Sequence, residues 1–247
     1  MSYPDFSRCM NLPRVSHHLR RLLFLPVAIA SLTLASCFGP VPVDQSFKAN
    51  RQLKVAVITM QAPVASVHHV GNQGLLDMAA NHAMATGGRR ELEGYPSQAK
   101  LDEMGKQFAK RLSGYGYKAT HLSSVHPTYK DINPATAKPT TAKPIPGTGS
   151  YLNGYDAAIY LSMPAVGRAK LVYAFIPLSG SSAVAPMQGA MYSTTDQKIL
   201  WRSAIPAINP GDGIGIDGDG KEALYRAIDT AVKTSSDRVQ SHFFQGF

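Results

Sequence analysis

Five histidines, one glycine-rich loop with carboxylates, a serine cluster and two cysteines are the groups in this chain whose types and spacing could support chemistry. His68-His69, His82, His121 and His126 would bind a metal if folding gathered them. Adjacent histidines point in different directions, however, and no pair has the helical spacing with an intervening Glu that places two imidazoles and a base together. The segment Gly211-Asp-Gly-Ile-Gly-Ile-Asp-Gly-Asp-Gly-Lys-Glu222 offers hard oxygen ligands in a tight wrap. A calcium loop counted from Asp217 has Asp219 at its third position but Lys221 at its fifth, where the ion needs oxygen. As a phosphate cradle the segment lacks the Gly-Lys-Ser/Thr ending, and its carboxylates would repel the anion. Ser179–Ser182 falls between two strand-like runs and does not match the strand-to-helix elbow of a serine hydrolase. No catalytic residue, metal ligand or cofactor contact is assigned.

Periodicity predicts the elements that must position these groups. Leu53–Met60 is a β-branched run that reads as a buried central strand. A loop carrying His68-His69 and Gly71–Gly74 leads to a helix over 75–86, with Leu75, Leu76, Ala79, Ala80, Ala83 and Met84 on one face. Gly87-Gly88 is expected to stop it, before a charged loop of Arg89, Arg90, Glu91 and Glu93. The next helix starts near Ser97 with the stripe Leu101, Met104, Phe108 and Leu112, and Gly114 as its terminal glycine. Tyr115–Ser123 follows as a strand, parallel to the first through a right-handed crossover. Positions 127–150 hold five prolines and a duplicated Thr-Ala-Lys-Pro, which reads as a solvated insertion. Asp156–Met163, Lys170–Leu178, Pro186–Thr194 and Lys198–Ala204 are expected to form an antiparallel meander, with Trp201 over the core. After the loop 206–218, a last helix is expected to be capped by Asp219 and Glu222 and buried along Leu224, Ala227, Ile228, Ala231, Val232 and Val239. The expected fold is α/β (α+β): one two-layer domain with a mixed sheet of five or six strands, a C-terminal meander, and two to three helices packed against it.

The 247 residues suffice for a core without disulfide support, and 17% charged residues with a mean hydropathy of −0.11 argue against a disordered chain. A net charge of +9 raises nucleic acid as a partner. The first residues weaken that reading. Arg8, Arg14, Arg20 and Arg21 precede an uncharged run, Leu22–Leu34, which is shorter than the ~20 residues a spanning helix needs. A basic flank, a short apolar run and small residues after it make a secretory signal.

The run ends in Leu34-Ala35-Ser36-Cys37, which resembles the lipobox of bacterial lipoproteins. The resemblance implies that residues 1–36 are removed, that Cys37 carries lipid, and that a tether over 37–52 joins it to a periplasmic domain over 53–247. Phe38, where an Asp would favour inner-membrane retention, implies the outer membrane. Leu19 before Arg20-Arg21 departs from the twin-arginine pattern, so ordinary Sec export is expected, from a start at Met1 or Met10. Cys9 would leave with the signal, and thiol chemistry with it. Residues 1–36 hold four arginines and one aspartate, so the remainder carries 21 basic and 15 acidic residues, or +6. That charge suits anionic head groups better than nucleic acid.

A second resemblance rests on Leu53–Met60, on the helix end Phe108-Ala-Lys-Arg-Leu-Ser-Gly-Tyr-Gly-Tyr-Lys118, on Tyr155-Asp156 and on Lys198-Ile-Leu-Trp201. This layout is similar to the TolB amino-terminal domain and the curli-secretion lipoprotein, which scaffold envelope assemblies or bind partners and supply no catalytic residues to carry over. The insertion at 127–150 departs from it. The expectation is therefore a non-enzymatic lipoprotein, without cofactor, held to the membrane at Cys37 and binding an envelope protein. The alternative is a ligand- or metal-binding lipoprotein or hydrolase using the 211–222 loop.

Overall fold

The computed structural model describes residues 39–128, 150–174, 176–204 and 208–247. Cys9, the Leu34–Cys37 motif and positions 129–149 of the insertion lie outside them.

The short helix α1 (Gln45–Ala49) precedes the strands β1 (Lys54–Thr59) and β2 (Ser66–Val70). Three helices follow, α2 (Leu75–Met84), α3 (Thr86–Leu92) and α4 (Ser97–Gly114), and then β3 (Lys118–His121). The second half holds β4 (Ala157–Ser162), β5 (Gly167–Tyr173), β6 (Ile176–Pro177), β7 (Ser182–Val184), β8 (Gln188–Ser193), β9 (Ile199–Arg202), β10 (Ile214–Gly215) and the long helix α5 (Gly220–Phe244).

β1 is central because its side chains are apolar on both faces and nearly all buried. It pairs in parallel with β3 and β4, and β4 continues antiparallel to β8 and β9, giving the order β3-β1-β4-β8-β9. Val55 and Val57 face α4 and α5, while Ala56, Ile58 and Met60 face a smaller cluster with Leu152, Tyr160 and Tyr192. The predicted stripe of α4 is buried throughout, as is that of α5. The two helices meet over Trp201, which is wholly buried against Phe108 and Phe243, with Phe244 packed on both of these, and which donates from Nε1 to His242 Nδ1 at 3.1 Å.

The α/β class and the mixed sheet are as expected; several local features differ. His68-His69 lie on β2, not in a loop, and β2 pairs in parallel with β5 in a second sheet, β10-β7-β5-β2, with β6 hydrogen-bonded to β5. Lys170–Leu178 therefore leaves the expected meander, and β4 has β8 beside it instead. On α2, Ala79 and Ala80 are exposed while Asn81 is buried, contrary to the expected stripe at these positions; the side chains of Leu75, Leu76, Ala83 and Met84 lie outside the described residues. Alanines carry too little apolar area to orient a helix when Asn81 can bond inward, to Gln73 Oε1 and Ala174 O. Gly88 is helical, within α3, as are Arg89, Arg90 and Glu91. A Cβ on Gly88 would lie 3.0 Å from Val67, so the glycine allows α3 to approach β2. The left-handed residue after α4 is Gly116, not Gly114. Asp219 stands at the N-cap of α5 without a side-chain cap bond, because Gly220 at φ +85° already turns the chain.

The segment expected as a tether is partly built into the domain. Val41 bridges Arg202 on β9, and Asp44 caps α1 by accepting from Ser46 N at 2.8 Å. Phe47 is buried and stacked on Tyr117 at 4.7 Å, and Tyr117 donates to Phe47 O at 3.0 Å.

Candidate functional site

The residues singled out in the sequence do not converge. Among the described residues, no group of three or more His, Cys, Asp or Glu side chains is arranged to hold a metal. The 211–222 segment is divided between a 3₁₀ turn (Pro210–Asp212), β10 and the start of α5. Asn209 holds Asp212 from one side, donating to its Oδ2 at 3.0 Å, and Asp217 and Asp219 are exposed farther along the chain. Ser179 accepts from Leu171 N–H and donates to Gly180 O, which are turn contacts at the base of a hairpin. Ser182 donates to Pro210 O at 2.7 Å. Cys37 lies outside the described residues.

His121 and His126 do meet a carboxylate, at the carboxyl end of β1. Thr59, wholly buried, donates to Asp102 Oδ1 at 2.5 Å, and its hydroxyl lies 3.4 Å from His121 Nε2. Gln98 donates to the same carboxylate oxygen at 3.1 Å, and His126 Nδ1 lies 3.7 Å from it. A hydrolytic triad needs the hydroxyl proton directed to imidazole and the imidazole held by the acid. Here the hydroxyl proton goes to the acid and the hydroxyl is buried, so the cluster fastens α4 to the end of β1. Gly105 permits that closeness, since a Cβ there would stand 2.6 Å from the His121 ring. Burial, with Lys106 and His126 adding to it against Asp102, holds the His121 imidazole below its usual pKa.

The place where charges gather was not assigned from the sequence. Two adjoining hollows, of about 170 and about 370 Å³, lie between the second sheet and the α2–α3 pair. Strand pairing builds their floor. Val67 is opposite Arg168, and His69 is opposite Lys170, so these four side chains share one face of the β2–β5 ladder. Arg89 reaches the same space from α3, and Asn81, buried and bonded on both sides, forms a polar wall. Among the described residues, no carboxylate lines either hollow. Glu91 approaches Arg168 from outside the lining at 3.2 Å, while Arg168 Nε is buried and makes no hydrogen bond. Burial, and then the nearby charges of Lys170, His68 and Arg89, lower the pKa of His69. So lined, the cleft presents positive charge around a titratable imidazole, a chemistry complementary to an anionic group. The sequence did carry part of the signal, two cations two residues apart, but the strand expected there began at Lys170, and only the structure, which starts β5 at Gly167, puts Arg168 on the same face. Which face, and opposite what, depends on β2.

No family model matches the chain, and no curated protein matches it. Among solved structures, a protein described as a neuraminyllactose-binding hemagglutinin homolog from Helicobacter pylori aligns over 79% of this chain and 90% of its own, at 9% identity and a TM-score of 0.30. Lipoprotein GNA1162 from Neisseria meningitidis aligns over 74% and 99%, at 12% identity and 0.28. The hypothetical protein CT253 from Chlamydia trachomatis aligns over 77% and 97%, at 9% identity and 0.29. Likeness of this size carries no weight on family or function, and the cleft is read from its own chemistry.

Proposed function

We propose that this chain is a lipid-anchored envelope protein that acts by binding, held by Cys37 at the periplasmic face of the outer membrane. Its cleft between the second sheet and α2–α3 receives an acidic segment of another envelope protein. The observation that supports this reading most is the meeting of Arg168, Lys170, Arg89 and His69, from three different elements, in hollows lined by no carboxylate among the described residues. Volumes of about 170 and about 370 Å³ suit one or two side chains of a partner, and Val67 and Val172 give their methylenes an apolar floor. The lipobox-like Leu34–Cys37 and the preceding signal-like segment support the anchor.

The test is crosslinking in intact cells with a photoreactive residue in place of Met78, at the rim of the cleft. A defined protein adduct is expected, lost on Lys170→Glu in a chain that still folds. An adduct indifferent to that charge reversal would refute the cleft. Separately, Cys37→Ala is expected to abolish palmitate labelling and release the protein from membranes; labelling that persists would refute the anchor.

A further inference from the structure

Six large apolar side chains are exposed among the described residues, and four of them occupy one surface. Leu171 is 37% exposed, Tyr173 59%, Ile176 52% and Leu178 60%. The β5–β6 hairpin places them together. Tyr173 is directly opposite Ile176, and Leu178 N–H donates to Leu171 O at 2.8 Å, which continues the same register. Directly opposed residues share a face, as do residues two apart along a strand. The four therefore form a two-by-two apolar patch. It lies on the face of the second sheet opposite Val67, Arg168 and Lys170, and so faces away from the cleft.

The path of the chain identifies an occupant. β9 runs in the same direction as β1 and β4, because it is antiparallel to β8 and β8 is antiparallel to β4. Val41 pairs with Arg202 in the antiparallel sense, and Asp44 N–H reaches Leu200 O. Followed backwards from Asp44 to Val41, the chain thus leaves the first sheet at the end where β1 and β4 finish. The second sheet joins the first at this same end, with β5 starting at Gly167, shortly after β4 stops at Ser162. From Val41 back to Cys37 is four residues, a reach of at most ~14 Å even if fully extended. A lipid on Cys37 would hold this end of the domain against the bilayer.

Charge agrees with that occupant. Between Asp156 and Asp196 there is no acidic residue, and Arg168 and Lys170 are the only charged side chains. Nothing on the hairpin repels anionic head groups, and a tyrosine beside leucine and isoleucine suits the depth where head groups meet acyl chains. We propose that the face formed by Leu171, Tyr173, Ile176 and Leu178 seats in the lipid surface to which Cys37 is tied. This rests on the anchor reading above and assigns the two faces of the second sheet to two partners, the bilayer on one side and the acidic segment on the other.

The experiment uses the full lipidated chain in vesicles of phosphatidylethanolamine and phosphatidylglycerol with brominated acyl chains. Tyr173→Trp introduces a reporter, and Trp201, wholly buried, provides the background seen in the unsubstituted protein. Quenching of the new indole by about twofold over that background is expected for a side chain seated at the acyl boundary, and Ile176→Ser with Leu178→Ser in the same chain should abolish it. Quenching no greater than in the unsubstituted protein overturns the proposal. So does a vesicle-free dimer that Ile176→Ser disperses, which would make a second copy the occupant. Mass spectrometry of the Cys37 peptide tests the anchor on its own. If it is unmodified, the anchor reading fails; quenching after unlipidated chain is added to preformed vesicles then sustains the hairpin face, and its absence overturns it.

Discussion

Val41 and Arg202 exchange both backbone hydrogen bonds, Val41 N–H to Arg202 O at 2.8 Å and Arg202 N–H to Val41 O at 3.0 Å. The pair extends the open edge of the first sheet and brings fixed structure to within four residues of Cys37. Val41→Pro removes the donor that Val41 offers to Arg202 O, at a cost of about 1 kcal/mol. The readouts are the urea midpoint, expected to fall, and proteolysis ahead of Phe47, expected to speed up. An unchanged midpoint would mean that the bridge contributes nothing.

Asp44 joins the same segment to the β8–β9 turn. Its carboxylate accepts from Lys198 Nζ at 2.8 Å and from Ser46, and these bonds hold its pKa at about 2 against an ordinary 3.8. A pKa depressed by folding means that the unfolded chain takes the proton first. The stabilisation is therefore present above pH 3.8 and disappears as pH falls towards 2. Asp44→Ala should cost about 1 kcal/mol at neutral pH, chiefly the lost cap. In acid unfolding the variant and parent curves should converge only as pH falls to about 2.

Gly189 leaves room for the indole of Trp201. A Cβ at that position would lie 2.5 Å from one ring carbon, 2.6 Å from another and 3.1 Å from Leu161. Gly189→Ala should destabilise by about 1–3 kcal/mol through overpacking. Trp201 is the only tryptophan, so its emission reports the displacement directly. Unaltered emission together with unaltered stability would contradict the packing described.

Phe108 links α4 to Trp201, Phe243 and Phe244. Phe108→Ala is expected to cost about 3–5 kcal/mol, the range for deleting a fully buried aromatic ring. Thermal unfolding measures it, and a loss below 1 kcal/mol would show that the α4–α5 seam closes over the gap.

His68, His69 and His121 all have pKa values lowered in the fold, first by burial. The unfolded chain then binds more protons than the native one just below pH 6.5, so stability should decline as pH falls through that value. In the cleft the same protonation has a second effect. A bound anion favours charged His69, so binding of an oligoglutamate probe should tighten as pH drops below 6.5, with Lys170 and Arg89 opposing the proton until the anion arrives. His69→Ala should flatten that pH profile in calorimetric titration while leaving weak binding. A profile unchanged by the substitution would remove His69 from the site.

The elements legible in the sequence are those whose burial follows a local period. Leu101, Met104, Phe108 and Leu112 repeat at helical spacing because one contiguous helix presents one face to one core, and the same holds for α5. β1 was legible because both its faces are apolar. The exposure of Ala79 and Ala80 on α2 was not, because alanines have little area to bury and Asn81 turns inward instead, to Gln73 and Ala174, which the fold brings to it. Gly88 looked like a stop because its role is steric: it admits Val67 from a strand that the chain passes some twenty residues earlier.

The candidate cleft follows the same division. Sequence alone determined that Arg168 and Lys170 stand two residues apart, that the chain from Asp156 to Asp196 has no acid between its ends, and that a lipobox-like motif ends at Cys37, since each of these is a property of neighbouring residues. Only the tertiary structure decided that β2 lies beside β5, across about a hundred residues of chain, so that His69 faces Lys170 and Arg89 closes over them. Strand pairing is a choice among distant backbone edges with equivalent hydrogen bonds, and it is settled by which faces can be buried together, a quantity that no local window contains.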